Sequence, residues 1–291
     1  MKFAYYPGCS LRGTGRAYEE SLLAVFRALD IQLEELEDWN CCGATTYMSF
    51  DEVTSYALSA RNLAIAERMK LDIAAPCAAC YLCLNKTQHV MRDYPHINEV
   101  VQGALKTIGL NYQDRVKVRH PLDILWNDMG VEAIRKKVKV PLKGVKVAPY
   151  YGCQIVRPYA IFDDQNAPVS MDRLLEAAGA EVIDYPVKTR CCGASQKGTL
   201  PEMGLGLLAR LLTVAKERGA DVIATACPLC QFNLELFQDE ANGSAPPVTM
   251  PVVFFTQLLG LALGAPAKDI GFKHSVVPIQ PMLRQKEIAC V

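Results

Sequence analysis

The sequence predicts an α/β protein made of two repeated halves, each built on a parallel sheet. Three observations predict it. The chain carries an internal duplication, short apolar strands alternate with amphipathic helical stretches in each half, and cysteines recur at matched strand-to-helix junctions. The 291 residues suffice for two domains of ordinary size, at roughly 150 residues each. Each half is expected to be Rossmann-like, the two being related by pseudo-two-fold symmetry, with one domain over 1–140 and the other over 141–291.

The duplication is read from an ordered set of motifs. "FAYYPGC" (3–9), "CCGA" (41–44) and "IAAPCAAC" (73–80) recur as "VAPYYGC" (147–153), "CCGA" (191–194) and "IATACPLC" (223–230). Between Cys42 and Cys77 lie 34 residues, and between Cys192 and Cys227 lie 34 again, so the later interval is rigidly kept. The earlier interval is looser, with 31 residues from Cys9 to Cys41 and 37 from Cys153 to Cys191. A weaker echo follows, "VRHPLDIL" (118–125) against "PVVFFTQLL" (251–259).

Each element follows from local pattern. "KFAYY" and "KVAPYY" are aromatic and β-branched runs that end at the first cysteine, as strands do at a loop. Residues 17–30 and 170–180 have helical periodicity, and Gly179 stands where a C-cap belongs. "IQLEELE" and "EVIDYP" are second strands leading into Cys-Cys-Gly, and helices are expected over 52–70 and 201–219. "LDIAA" and "DVIATA" then run straight into Cys-x-x-Cys at the start of a further helix. Each half therefore reads β-α-β-α-β-α. The basic run 131–145, poor in large apolar groups, marks the boundary and is expected to be a solvated linker.

Bulk composition narrows the function. The 31 basic and 31 acidic side chains cancel, which gives no support to a nucleic-acid binder. The opening residues lack the apolar core, roughly seven to fifteen residues, of a secretory signal, and a cytoplasmic location is expected. The apolar stretch 251–267 falls short of the ~20 residues that span a bilayer, so no membrane span is expected and a buried helix is. Twelve cysteines in a reducing compartment point to metal or redox chemistry rather than to disulfides.

In a parallel sheet with helical crossovers, every strand-to-helix loop lies at the carboxyl edge of the strands. Cys9, Cys41, Cys42, Cys77 and Cys80 are thereby expected to gather at one place, and Cys153, Cys191, Cys192, Cys227 and Cys230 at another. Helix N-termini at that edge favour thiolates and an anionic inorganic group. A structural zinc takes four ligands, normally from two separated pairs, whereas adjacent residues such as Cys41 and Cys42 direct their sulfurs apart. An ordinary cubane also takes only four thiolates. Five thiols suit a multi-iron object larger or more open than one cubane. Cys83 falls where the second half has Asn233 and reads as a helix-packing thiol, and Cys290 is assigned no role.

The doubled C-x(31–37)-C-C-G-x(33)-C-x-x-C pattern, with "YYPGCSLRGTGRAYEES" and "WNCCGAT", resembles the cysteine-rich CCG domain family. Within it the chain looks most like the B subunit of the methanogen heterodisulfide reductases. The resemblance implies two non-cubane [4Fe-4S] clusters, one held by each group of five cysteines, that divide the two electrons needed to split the coenzyme M–coenzyme B disulfide. It also implies partners: a ferredoxin-like C subunit, a flavin-containing A subunit and, beyond them, a hydrogenase. The chain itself has neither a ferredoxin-type C-x2-C-x2-C-x3-C-P run nor a G-x-G-x-x-G after a strand. The alternative the same family allows is a non-catalytic electron relay in a hydroxyacid or succinate dehydrogenase-type complex. An anionic disulfide would need basic anchors, and Arg12, Arg157, Arg190 and Lys197 lie in the cysteine loops where such anchors are expected.

Overall fold

The aromatic and β-branched runs form strands, and their order fixes where the cysteines meet. A computed structural model of the protein describes residues 1–44, 46–242 and 248–289. In the first half β1 (Lys2–Tyr5), β2 (Gln32–Glu35), β3 (Ile73–Ala74) and β4 (Val118–Arg119) form a parallel sheet in the order β2-β1-β3-β4. In the second, β5 (Lys146–Tyr150), β6 (Glu181–Val182), β7 (Val222–Thr225) and β8 (Val252–Phe254) repeat it as β6-β5-β7-β8. Chain direction across the sheet reverses between β1 and β3, and again between β5 and β7. A crevice opens at such a reversal because the connections on its two sides leave to opposite faces.

The fourth strand of each sheet goes beyond the three-strand pattern expected for each half. Its only trace in the sequence is the weak echo between 118–125 and 251–259. Ile73 pairs with Val118 and Ile223 with Val252, so the echo marks equivalent register positions. The stretch expected as one buried helix is therefore strand β8 followed by a helix over Phe255–Ala262, and Val252–Leu263 are buried throughout. Among the described residues no helix is long and apolar enough to cross a membrane.

Helix boundaries follow local chemistry. Asp51 caps the helix Glu52–Met69 by accepting from the Thr54 amide at 3.0 Å, and Lys70 closes it in the left-handed region. The helix Ser170–Ala177 ends two residues before Gly179, whose φ of +88° ends the turn as the sequence indicates. The basic run 131–145 departs from a solvated linker. Val131–Lys137 is helical, Ile134, Leu142 and Val145 are buried, and the Lys139 and Val140 amides both donate to the Ala262 carbonyl. Those three apolar side chains, spaced along a basic stretch, are enough to anchor it.

The chain divides into two compact units that interleave in sequence. The first comprises Met1–Arg12 and Ile31–Pro121, the second Gly13–Asp30 and Leu122–Val291. In the first, the helices Glu52–Met69, Ala78–Asp93 and Pro95–Thr107 pack on one another. In the second, the helix Arg16–Ala28 packs against Phe255–Ala262 although it is encoded between β1 and β2. Tyr18 stacks on Phe254 with centroids 4.5 Å apart and planes 7° from parallel, and Ser21 Oγ meets Thr256 Oγ1 at 2.7 Å. Phe254 is fully buried, so Phe254→Ala is expected to cost about 3–5 kcal/mol by removing an aromatic ring from a packed core. Urea denaturation of the two proteins measures the difference.

Candidate metal centre

Three loops build each site. Cys9 lies in the short helix Gly8–Arg12 that follows β1, and Cys41 and Cys42 follow β2. Cys77 caps the helix Ala78–Asp93 after β3, which places Cys80 in its first turn. In the second unit Cys153 follows β5, Cys191 and Cys192 follow β6, and Cys227 caps the helix Pro228–Leu236 with Cys230 in its first turn. The first and third loops of each set flank the reversal in strand order, the expected place for a ligand.

The thiols of each unit gather into one group. In the first, the Cys42 thiol donates to the Cys80 sulfur at 3.5 Å, and Cys9, Cys41 and Cys77 lie close enough to these two to shift their titration or be shifted by them. In the second, Cys192 donates to Cys230 at 3.5 Å, with Cys153, Cys191 and Cys227 similarly close. All ten expected ligands are thus brought together in two groups of five. Cys42, Cys77 and Cys80 are buried while Cys9 and Cys41 are exposed; Cys192, Cys227 and Cys230 are buried while Cys153 and Cys191 are half-buried. Each group therefore has a deep side and a more open side.

Proton placement within each group is uneven. Cys41 is lowered to about 6, first by a hydrogen bond from Cys42 and then, against its partial burial, by the Gly43 amide, which lies 3.5 Å from its sulfur. Cys191 is lowered to about 2 by Cys153 and Cys192, with the Gly193 amide at 3.4 Å. Their neighbours move the other way: the hydrogen bond to Cys41 raises Cys42, and that to Cys191 raises Cys192 to about 12. Within the deep pairs, Cys80 is held low by its bond from Cys42, whereas Cys230 is raised by its bond to Cys192. In the first deep pair the two thiols thus move in opposite directions, whereas in the second both are raised.

A second layer holds the loops, and sequence reasoning missed it. Tyr6 donates to the Asn40 carbonyl at 2.8 Å and Tyr150 to the Arg190 carbonyl at 2.7 Å, in each case the residue before the Cys-Cys pair. Burial raises both phenols, so they remain donors. Their signal lay in the repeat itself, where a Tyr stands three positions before the first cysteine of each half. Glycine also makes room. A Cβ on Gly8 would lie 2.9 Å from the Cys80 sulfur, and one on Gly152 3.3 Å from that of Cys230.

The residues fit a multi-iron group. Among the described residues no three His, Cys, Asp or Glu side chains are arranged around a single metal ion. Five thiols gather in each unit, the adjacent pair among them can serve different irons, and Gly8 and Gly152 leave room beside the Cys80 and Cys230 sulfurs. Cys83 is buried against the first group, with its sulfur 3.2 Å from the Cys42 carbonyl, and Cys290 lies outside the described residues.

The four basic residues expected as anion anchors are differently engaged. Arg12 pairs with Glu35, and Lys197 pairs with Glu240 and lies 4.4 Å over the Phe237 ring. Arg157 donates to the Thr189 and Gln165 carbonyls at 2.8 and 3.1 Å and so ties its own loop together. Arg190 is exposed, and its guanidinium has no hydrogen bond or ion pair among the described residues.

Two repeated parallel sheets, each with five thiols at its reversal point, define a duplicated cysteine-rich α/β protein. The chain belongs to the cysteine-rich CCG domain family, whose model matches residues 3–85 and 147–235. It is 32% identical to the 8-methylmenaquinol:fumarate reductase membrane anchor subunit of Wolinella succinogenes, over 95% of this chain and 97% of that one. It is 31% identical to the B subunit of the ferredoxin/F(420)H(2)-dependent CoB-CoM heterodisulfide reductase of Methanosarcina acetivorans, over 95% and 94%. A protein of Archaeoglobus profundus described as like the heterodisulfide reductase B subunit is 31% identical over 91% of each chain. Among solved structures, a hypothetical protein from Helicobacter pylori matches with a TM-score of 0.75 at 15% identity. That match covers 95% of this chain and 52% of the other, so this chain spans about half its length, and the likeness is one of fold.

The Cys-Cys-Gly turns differ in how much change they tolerate. Gly193 has φ +85°, and a Cβ there would lie 2.4 Å from the Gly204 carbonyl oxygen, a backbone atom. Gly43 has φ +79°, but its nearest obstacle is the Ser55 hydroxyl at 2.9 Å, which can rotate. Gly193→Ala is therefore expected to destabilise by about 2–3 kcal/mol and Gly43→Ala by about 1 kcal/mol. Thermal denaturation of the metal-free variants gives the comparison.

Proposed function

We propose that the chain is an iron–sulfur redox subunit of a multi-subunit oxidoreductase that reduces a mixed disulfide of the coenzyme M–coenzyme B type. One non-cubane [4Fe-4S] cluster would be held by Cys9, Cys41, Cys42, Cys77 and Cys80, and the other by Cys153, Cys191, Cys192, Cys227 and Cys230. The observation that carries the reading is the group of five thiols at the reversal point of both sheets, with no cysteine missing from either. When bound, the two clusters supply one electron each, matching the two electrons and two protons that turn one disulfide into two thiols.

The chain's own residues prepare the site in three ways. Helix N-termini at Cys77 and Cys227 stabilise thiolates by their unpaired amides and dipoles. Tyr6 and Tyr150 hold the Cys-Cys loops from behind, so the sulfurs keep their directions. The cysteines of the first and second loops, exposed in the first unit and half-buried in the second, mark the side from which a small substrate would approach. Arg190 is the basic residue already available for an anionic group, whereas Arg12 and Lys197 would have to leave Glu35 and Glu240. Electrons would come from partner proteins of the complex, one ferredoxin-like and one flavin-bearing.

A second reading is an electron relay in a fumarate- or succinate-type complex, with clusters that only conduct. The engagement of Arg12, Arg157 and Lys197 within the chain favours it, since three of four expected anchors are occupied. The relative named as part of a fumarate reductase supports it too.

Anaerobically purified protein is expected to carry iron and sulfide for two clusters and no stoichiometric zinc, by elemental analysis. With a reduced viologen as donor, it should convert the coenzyme M–coenzyme B disulfide to thiols, read by thiol release. Two intact clusters without turnover would leave the relay reading standing. Cys42→Ser or Cys192→Ser should alter one cluster's electron paramagnetic resonance and lower turnover at least a hundredfold, because each site is assigned one of the two electrons.

A further inference from the structure

Each site has two cysteines on its more open side, and they come from different loops. Cys9 and Cys41 are exposed in the first unit, and Cys153 and Cys191 are half-buried in the second. An arginine just past the first cysteine of each half, Arg12 or Arg157, reaches across to the segment that leads into the Cys-Cys pair. The two arginines act at equivalent places by different chemistry.

In the first unit Arg12 forms an ion pair with Glu35, the last residue of β2. Glu35 Oε1 accepts in turn from Trp39 Nε1 at 3.1 Å, two positions before Cys41. The Trp39 ring meets Tyr6 edge-on with centroids 5.7 Å apart, and Tyr6 holds the Asn40 carbonyl. Arg12 and Glu35 are each 45% exposed, so water and salt reach the pair. In the second unit Arg157 donates to Thr189, again two positions before the Cys-Cys pair. It bonds the Thr189 carbonyl at 2.8 Å and the hydroxyl at 3.3 Å. The same guanidinium donates to the Gln165 carbonyl at 3.1 Å and to Asn166 Oδ1 at 3.4 Å. Thr189 is 5% exposed, and none of these acceptors is charged.

We propose that Arg12, acting through Glu35, and Arg157 are positioning residues that clasp the two open-side cysteine loops of each site together. The first clasp is an ionic contact that salt weakens, and the second rests on neutral acceptors. An exposed ion pair is worth little and is screened by salt, whereas several hydrogen bonds from a charged donor to neutral acceptors keep their strength. The first site is therefore the one whose open side loosens, and a cluster held there is the first to lose iron. That last step rests on the iron–sulfur reading above; the clasp itself does not.

The test follows iron release from anaerobically purified full-length protein to excess iron(II) chelator. The electron paramagnetic resonance of each cluster is recorded over time at about 0.05 and about 0.5 M sodium chloride. Cys42→Ser and Cys192→Ser assign each signal to its site. The first-site signal should decay about two- to fivefold faster at high salt, and Arg12→Ala or Glu35→Gln should reproduce that gain at low salt. The second-site signal should ignore salt, and Arg157→Ala should hasten its decay about tenfold or more, Arg157→Lys less. In metal-free protein, Arg12→Ala should raise the rate of Cys41 alkylation by iodoacetamide, read by peptide mass spectrometry, and leave that of Cys191 unchanged. Combining Arg12→Glu with Glu35→Arg should return both readouts toward wild type, which a merely damaged fold would not do. If first-site decay and Cys41 alkylation are indifferent to Arg12, Glu35 and salt, the inference is wrong. An equal response of both sites to salt also overturns it. Wild-type protein that binds no iron would defeat the iron–sulfur reading alone, and the alkylation rates would then decide the clasp.

Discussion

A parallel strand must hand its chain to a helix at its carboxyl end, and this constraint governs the rest of the molecule. It gathers loops from distant parts of the sequence along one edge, and the reversal between β1 and β3, or β5 and β7, opens that edge. Cys9 and Cys80 are far apart in sequence yet close enough in space for the Cys80 thiol to raise that of Cys9. The same geometry brings the N-terminus of the helix Ala78–Asp93 to the site, so the loop that supplies two sulfurs also supplies the amides that favour their ionised form. Neither thiol convergence nor its electrostatics needed a special device.

Holding five sulfurs in fixed directions did need devices, and they act on the backbone rather than on the sulfurs. Tyr6 and Tyr150 pin the carbonyl before each Cys-Cys pair, while Cys83 and Asn233 pin the carbonyl within it. Gly43 and Gly193 then turn the chain in a conformation that a side chain would strain. The backbone of each cysteine pair is thereby held on both sides. Such outer contacts orient ligands and tune what they bind.

Duplication preserved the clamps while their chemistry diverged. The first unit fastens its Cys-Cys-Gly loop with the hydroxyls of Ser55 and Ser59, the second with the close approach of Gly204. Hydroxyl contacts can rearrange when charge on the site changes, whereas glycine-to-backbone packing has little room to move. Identical sets of five cysteines thus sit in unequal surroundings.

Most of the site was legible in the sequence because cysteine spacing and strand-to-helix alternation are local patterns with one outcome in a parallel sheet. The ten thiols, the helices from 52, 170 and 201 and the first three strands of each sheet are of this kind. β4 and β8 were not, because no cysteine motif follows them to mark a strand end, and only pairing with β3 and β7 defines them. The helix Arg16–Ala28 is plain in sequence, yet its grouping with Phe255–Ala262 depends on which apolar faces are complementary across more than two hundred residues. Likewise, Arg12, Arg157 and Lys197 are visibly basic residues in the right loops, but their engagement with Glu35, Thr189 and Glu240 is decided in three dimensions. The sequence by itself determined which sulfurs meet, since covalent spacing and chain direction leave no other arrangement. Tertiary structure alone decided which neighbours stand behind those sulfurs, because hydrogen-bond partners are chosen by distance in space and leave no periodic trace along the chain.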